Sequence, residues 1–118
     1  MPKILLVDDA TFMRMRCAKL LKDKGYDVLE AKDGLEALQK YQDHKPDGVL
    51  MDITMPDMDG ITALKRIMEE DPQARIAMVT AMGQQSMVIE ALQEGARDFV
   101  VKPFDADRVL AAVERLVN

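Results

Sequence analysis

The chain has 118 residues, 48% of them apolar and 31% charged, a globular balance at a length that fits one domain of about 100–200 residues and excludes a disordered protein. Sixteen basic against 21 acidic residues give a net charge of −5, and no Lys/Arg stripe can follow a phosphate backbone, so direct nucleic-acid binding is not expected. Apolar runs of four or five residues fall far short of the roughly 20 that span a bilayer, so a soluble protein with no membrane attachment is expected.

In chain order, the first element is a predicted strand over residues 4–7, with no signal peptide before it, which points to the cytoplasm. Met13, Cys17, Leu20 and Leu21 then recur at helical spacing. Cys17 reads as a small core residue, and as a lone cysteine it forms no internal disulfide. Further strands are predicted over 26–29, 48–51, 76–79 and 99–101. Helical stripes fall between and after them at Leu35 and Leu38, at Ile61, Leu64, Ile67 and Met68, and at Val109, Leu110, Val113 and Leu116. Gly25, Gly34 and Gly95 mark helix ends or starts, Pro46 and Pro72 precede strands, and Thr11, Asp33, Asp59 and Asp105 suit N-caps. Continuous apolarity in the first, third and fourth strands is what burial on both faces requires. The expected fold is therefore α/β, a doubly wound five-stranded parallel sheet with five helices, spanning residues 1–118 as one domain.

Such a sheet binds ligands at the carboxyl ends of its strands, near the reversal in strand order. The residues just beyond the predicted strands are Asp8 and Asp9, Asp52, Thr80, and Lys102-Pro103. Any one of these alone reads as a cap or turn former, and Lys102 alone as an ordinary salt-bridge partner. Together they ask for more. Two like charges about 5 Å apart repel by roughly 3 kcal/mol at an effective dielectric near 20, so clustered carboxylates call for a divalent cation. An all-oxygen set without His or Cys suits Mg²⁺ that keeps several waters. A Lys-Pro bond has a raised cis frequency, and a cis bond would fix Lys102 facing the pocket.

Over its whole length the chain resembles the receiver domains of bacterial two-component response regulators. The resemblance rests on Leu6-Val7-Asp8-Asp9, on Met51-Asp52-Ile53-Thr54-Met55-Pro56-Asp57-Met58-Asp59-Gly60, on Val79-Thr80-Ala81, and on Phe99-Val100-Val101-Lys102-Pro103-Phe104, in the family's order and spacing. Residues 9–15 and 81–91 are most similar to chemotaxis members of Gram-positive and thermophilic lineages. This implies the flavodoxin-like receiver fold, with Asp52 as phosphoacceptor. Mg²⁺ would be held by Asp8, Asp9, Asp52 and the Thr54 backbone carbonyl, and phosphoryl oxygens by Thr80, Lys102 and the Ala81 backbone N–H. Thr80 and Phe99 become the switch pair, the alternative for Phe99 being an ordinary core aromatic. Thr54 and Met82 flank the path of the hydrolytic water, and Met82, unable to orient a water, is expected to act as apolar cover.

The resemblance further implies a chemotaxis histidine kinase as phosphoryl donor, a flagellar motor switch protein as target and a dedicated phosphatase, with the chain acting as a monomeric signalling protein and not as an enzyme. The partner face would include Gln84, Val88, Phe99, Val101 and Arg115. The chain stops just after its fifth predicted helix, so a stand-alone domain is expected, and a phosphocarrier in a relay is the alternative job. Two rivals of other classes are weaker. A magnesium-dependent phosphohydrolase places a second Asp two residues after its nucleophile, where Thr54 stands. A nucleotide-binding module needs a Gly-rich loop after the first strand, where Asp8-Asp9-Ala10 would repel a pyrophosphate. Of the ten methionines, Met13, Met15, Met68 and Met78 suit element interiors, and Met55, Met58 and Met82 are expected exposed beside the pocket. His44 reads as a solvated helix-end residue without a role.

Overall fold

The computed structural model describes residues 1–55 and 58–118, so the Pro56-Asp57 step of the third-strand motif lies outside the described residues. Five strands, β1 Lys3–Val7, β2 Asp27–Ala31, β3 Gly48–Asp52, β4 Ile76–Ala81 and β5 Asp98–Lys102, alternate with five helices. These are α1 Thr11–Asp23, α2 Gly34–His44, α3 Gly60–Glu70, α4 Gln85–Gln93 and α5 Ala106–Val117. The sheet is parallel throughout in the order β2-β1-β3-β4-β5, so the winding reverses between β1 and β3.

Alternation along the strands divides the interior into two layers. Leu5, Val7, Val49, Met51, Ile76 and Met78 face α2, α3 and α4, where Leu38, Tyr41, Leu64 and Ile67 are buried. Ile4, Leu6, Leu50, Ala77, Val79 and Val100 face α1 and α5, where Leu21, Val109, Val113 and Leu116 are buried. Central strands covered on both faces have no polar side to show, which is why their sequences are continuously apolar.

Several sequence expectations shift. The second strand starts one residue later and runs through Glu30 and Ala31, because at this sheet edge the Glu30 carboxylate meets the Arg14 guanidinium at 3.1 Å. Asp52, Thr80 and Lys102 lie inside strands and not beyond them, since the ladder pairs Asp52 with Val79, Thr80 with Val101 and Ala81 with Lys102. Asp33, Asp59 and Asp105 each cap a helix by accepting the backbone N–H three residues on. Thr11 does not: it is the first residue of α1, and Ala10 holds the cap position without a side-chain bond. Leu35 and Met15 point to solvent, the α2 stripe being Ala37, Leu38 and Tyr41, while Met55 is buried in the core.

Candidate functional site

Asp8 follows β1 and Asp52 ends β3, so the two carboxylates flank the point where the winding reverses. Ligand oxygens of Asp8, Asp9 and Asp52 lie within 4.8 Å of one another. The Lys102 ammonium reaches in from the end of β5, 3.2 Å from Asp52 Oδ2 and 3.4 Å from Asp8 Oδ2, and the Lys102-Pro103 bond is cis. Backbone groups fix the remaining oxygens: the Ala10 N–H donates to Asp8 Oδ1 at 2.9 Å and the Thr54 N–H to Asp52 Oδ1 at 3.3 Å. Arg14 steadies the same turn by donating to the Asp8 carbonyl.

Asp52 is only 7% exposed. Burial pushes its carboxyl above the ordinary range and Asp8 adds to the rise, against the pull of Lys102 and of the Thr54 N–H. Burial works in the opposite direction on Lys102, yet Asp52 and Asp8 prevail and hold its ammonium above the usual value. Asp8 and Asp52 therefore share one ammonium, and Asp9 adds a third carboxylate without a cation of its own among the described residues. An all-oxygen set with excess negative charge fits a small hard dication such as Mg²⁺, which completes its shell with water.

Gly60, at the end of the motif that follows β3, is a positioning residue. A Cβ built there would stand 2.0 Å from the Asp52 carbonyl oxygen, and the Gly60 N–H donates to the Ile53 carbonyl at 2.8 Å. Only a residue without a side chain lets α3 begin this close to the strand that carries Asp52.

Beside the acidic group, Thr80 is almost wholly buried and its hydroxyl donates to Gln84 Oε1 at 2.7 Å. Gln84, Val88, Phe99 and Val101 line one open hollow of about 520 Å³ between α4 and β5, along which Met82 also lies. Phe99 is 36% exposed and so is no core aromatic. Arg115 does not line this hollow. It binds Asp98 at 2.7 Å while Arg108 donates to the Phe99 carbonyl, bonds that tie α5 to β5. Met82 is 79% exposed, and His44 is exposed at the end of α2. Cys17 is half-buried, and burial, then Asp8, raise its thiol above the ordinary value.

The family model described as "Response regulator receiver domain" matches residues 4–114. The chain belongs to the response regulator receiver family. Within that family its relatives include chemotaxis proteins: CheY of Bacillus subtilis is 60% identical over 117 residues, covering 98% of each chain. CheY of Thermotoga maritima is 53% identical over 115 residues, 97% of this chain and 96% of the relative. Among solved structures, the CheX-CheY-BeF₃-Mg²⁺ complex of Borrelia burgdorferi matches with a TM-score of 0.92 at 40% identity, over 98% of this chain and 89% of the other.

Proposed function

We propose that this receiver domain takes a phosphoryl group on Asp52 from a histidine kinase of the chemotaxis type and signals to a flagellar motor switch protein. The observation that carries the reading is the convergence of Asp8, Asp9, Asp52 and Lys102 at the winding reversal, with the Thr80 hydroxyl beside them. An Asp52 carboxylate oxygen attacks phosphorus, a P–O bond forms, and the P–N bond of the phosphohistidine breaks with its electron pair leaving on the imidazole. Lys102 neutralises charge on the equatorial oxygens, while the Thr80 hydroxyl and Ala81 N–H donate to them. Mg²⁺, when bound by Asp8, Asp9, Asp52 and the Thr54 carbonyl, supplies charge neutralisation at the same oxygens.

The Borrelia relative, solved in a complex with Mg²⁺ and BeF₃, supports this reading, as do the chemotaxis proteins among the curated relatives. The face of α4, β5 and α5 is the output: when Thr80 turns to the phosphoryl group, the β4–α4 loop follows and the Phe99 ring gains room to move inward. Thr54 and Met82 border the way in for a hydrolytic water, and a dedicated phosphatase completes the cycle. The domain acts as a monomer in the cytoplasm, and among the described residues no helix is long and apolar enough to cross a membrane. Incubation with labelled acetyl phosphate and Mg²⁺ gives one equivalent of base-labile label, and Asp52→Asn gives none. Full labelling of that variant refutes the assignment.

A further inference from the structure

Gln84 holds the N-cap position of α4, yet its side chain caps nothing in that helix. Its carboxamide turns toward the acidic pocket instead. Oε1 accepts from the Thr80 hydroxyl at 2.7 Å and from the Ala81 backbone N–H at 2.8 Å, and Nε2 donates to Thr54 Oγ1 at 2.8 Å. The neighbours decide which end of the amide is which: turned over, its NH₂ would face the Ala81 N–H donor to donor. Met87 Sδ accepts a weaker contact from the same Nε2 at 3.7 Å.

One amide oxygen thus engages both donors that a phosphoryl oxygen on Asp52 would need. The Thr80 hydroxyl has a single proton and serves one acceptor at a time, its own alternative being the Ala81 carbonyl at 3.2 Å. We propose that Gln84 is an internal latch on the phosphoryl site, standing in for a phosphoryl oxygen while Asp52 is bare and expelled when Asp52 is phosphorylated. The latch rests on the reading of Asp52 as phosphoacceptor with Thr80 and Ala81 as phosphoryl donors.

The latch also supplies a route outward. The Gln84 backbone carbonyl accepts the N–H groups of Met87 and Val88, so the residue displaced from the pocket is the one that begins α4. Val88 lines the hollow with Phe99 and Val101. Expelling the carboxamide releases Thr54, Thr80 and Ala81 together and frees the first turn of α4 beside that hollow. Linkage works in reverse as well: a partner that draws Gln84 outward favours phosphorylation by the same factor.

A latch closed about four-fifths of the time weakens apparent binding about fivefold, since only the open fraction is competent. The test is titration of BeF₃⁻ in the presence of Mg²⁺, followed by NMR, on the wild type, Gln84→Ala and Gln84→Met; the last keeps the bulk of the side chain and removes the amide. Both variants bind about fivefold more tightly, and exchange of the Ala81 amide hydrogen accelerates in the metal-free protein. A gain in affinity is a readout that structural damage to α4 would not produce. Should Gln84 variants fold poorly, Thr54→Val removes only the acceptor of Nε2 and binds about twofold more tightly. Unchanged or weaker binding in the folded variants, with a wild type that saturates, overturns the latch alone. A wild type that takes no BeF₃⁻ overturns the Asp52 reading and the latch with it.

Discussion

Asp9 is the most exposed of the three clustered carboxylates and, unlike Asp8 and Asp52, has no hydrogen bond or ion pair among the described residues. In the metal-free protein it mainly adds repulsion. Asp9→Asn therefore raises metal-free stability by about 1 kcal/mol, roughly 4 °C in melting temperature, and abolishes the further stabilisation that millimolar Mg²⁺ gives the wild type. Melting curves in EDTA and in Mg²⁺ check both halves; an Asn variant that Mg²⁺ stabilises like the wild type removes Asp9 from the metal site. At this scale the acidic group, Thr80 and Lys102 are readable in sequence because each follows or ends an apolar run, and strand ends in a parallel sheet point one way. Gln84 is not. Its position in the sequence places it at the start of a helix, and only the tertiary fold brings its carboxamide to Thr80 and Thr54, residues on two other strands' ends. Gly60 is hidden for a similar reason, since the close approach it permits is between α3 and the backbone of Asp52.

Among the elements, α2 shows how packing overrides local signals. It ends on Lys45 with φ of 47°, a left-handed cap that glycine usually fills and that no sequence cue announced. The helix is held instead by Tyr41, buried in the core, whose hydroxyl donates to Asp71 Oδ2 at 2.7 Å in the turn after α3. That bond lowers the Asp71 carboxyl, and burial together with Asp71 raises the Tyr41 phenol above its ordinary value. A depressed carboxyl stabilises the fold above its unfolded pKa of about 3.9, and the contribution is lost as pH falls through the folded value. A raised phenol contributes below its unfolded pKa of about 10 and fails as pH rises through the folded value. Tyr41→Phe consequently costs about 1 kcal/mol at neutral pH, less in acid below about pH 4, and loses the wild type's decline above about pH 10. Urea midpoints across that range test it, and a pH-independent difference would show that the bond contributes nothing. The five strands and four of the helices are readable from apolar runs and stripes, and α4 from the alternation alone, whereas Leu35 and Met15 mislead because spacing alone does not say which apolar positions a helix turns inward.

At the scale of the whole molecule, the sheet order sets the working geometry. The winding reversal brings Asp8 and Asp52 together, and β4 and β5, lying on one side of that point, carry Thr80 and Lys102 to the pocket and Phe99 and Val101 to the hollow. Adjacent strands therefore link the acidic pocket to the proposed output face across a few residues, with Gln84 touching both. Every step from the acidic pocket to the proposed output face depends on which carboxylate takes the phosphoryl group. Borohydride reduction of protein phosphorylated with acetyl phosphate, followed by peptide mass spectrometry, reads this directly, because reduction of an aspartyl phosphate leaves homoserine at the modified position. Homoserine is expected at position 52 and nowhere else. Homoserine at position 8 or 9, or none in protein that carries label, would contradict the assignment of Asp52.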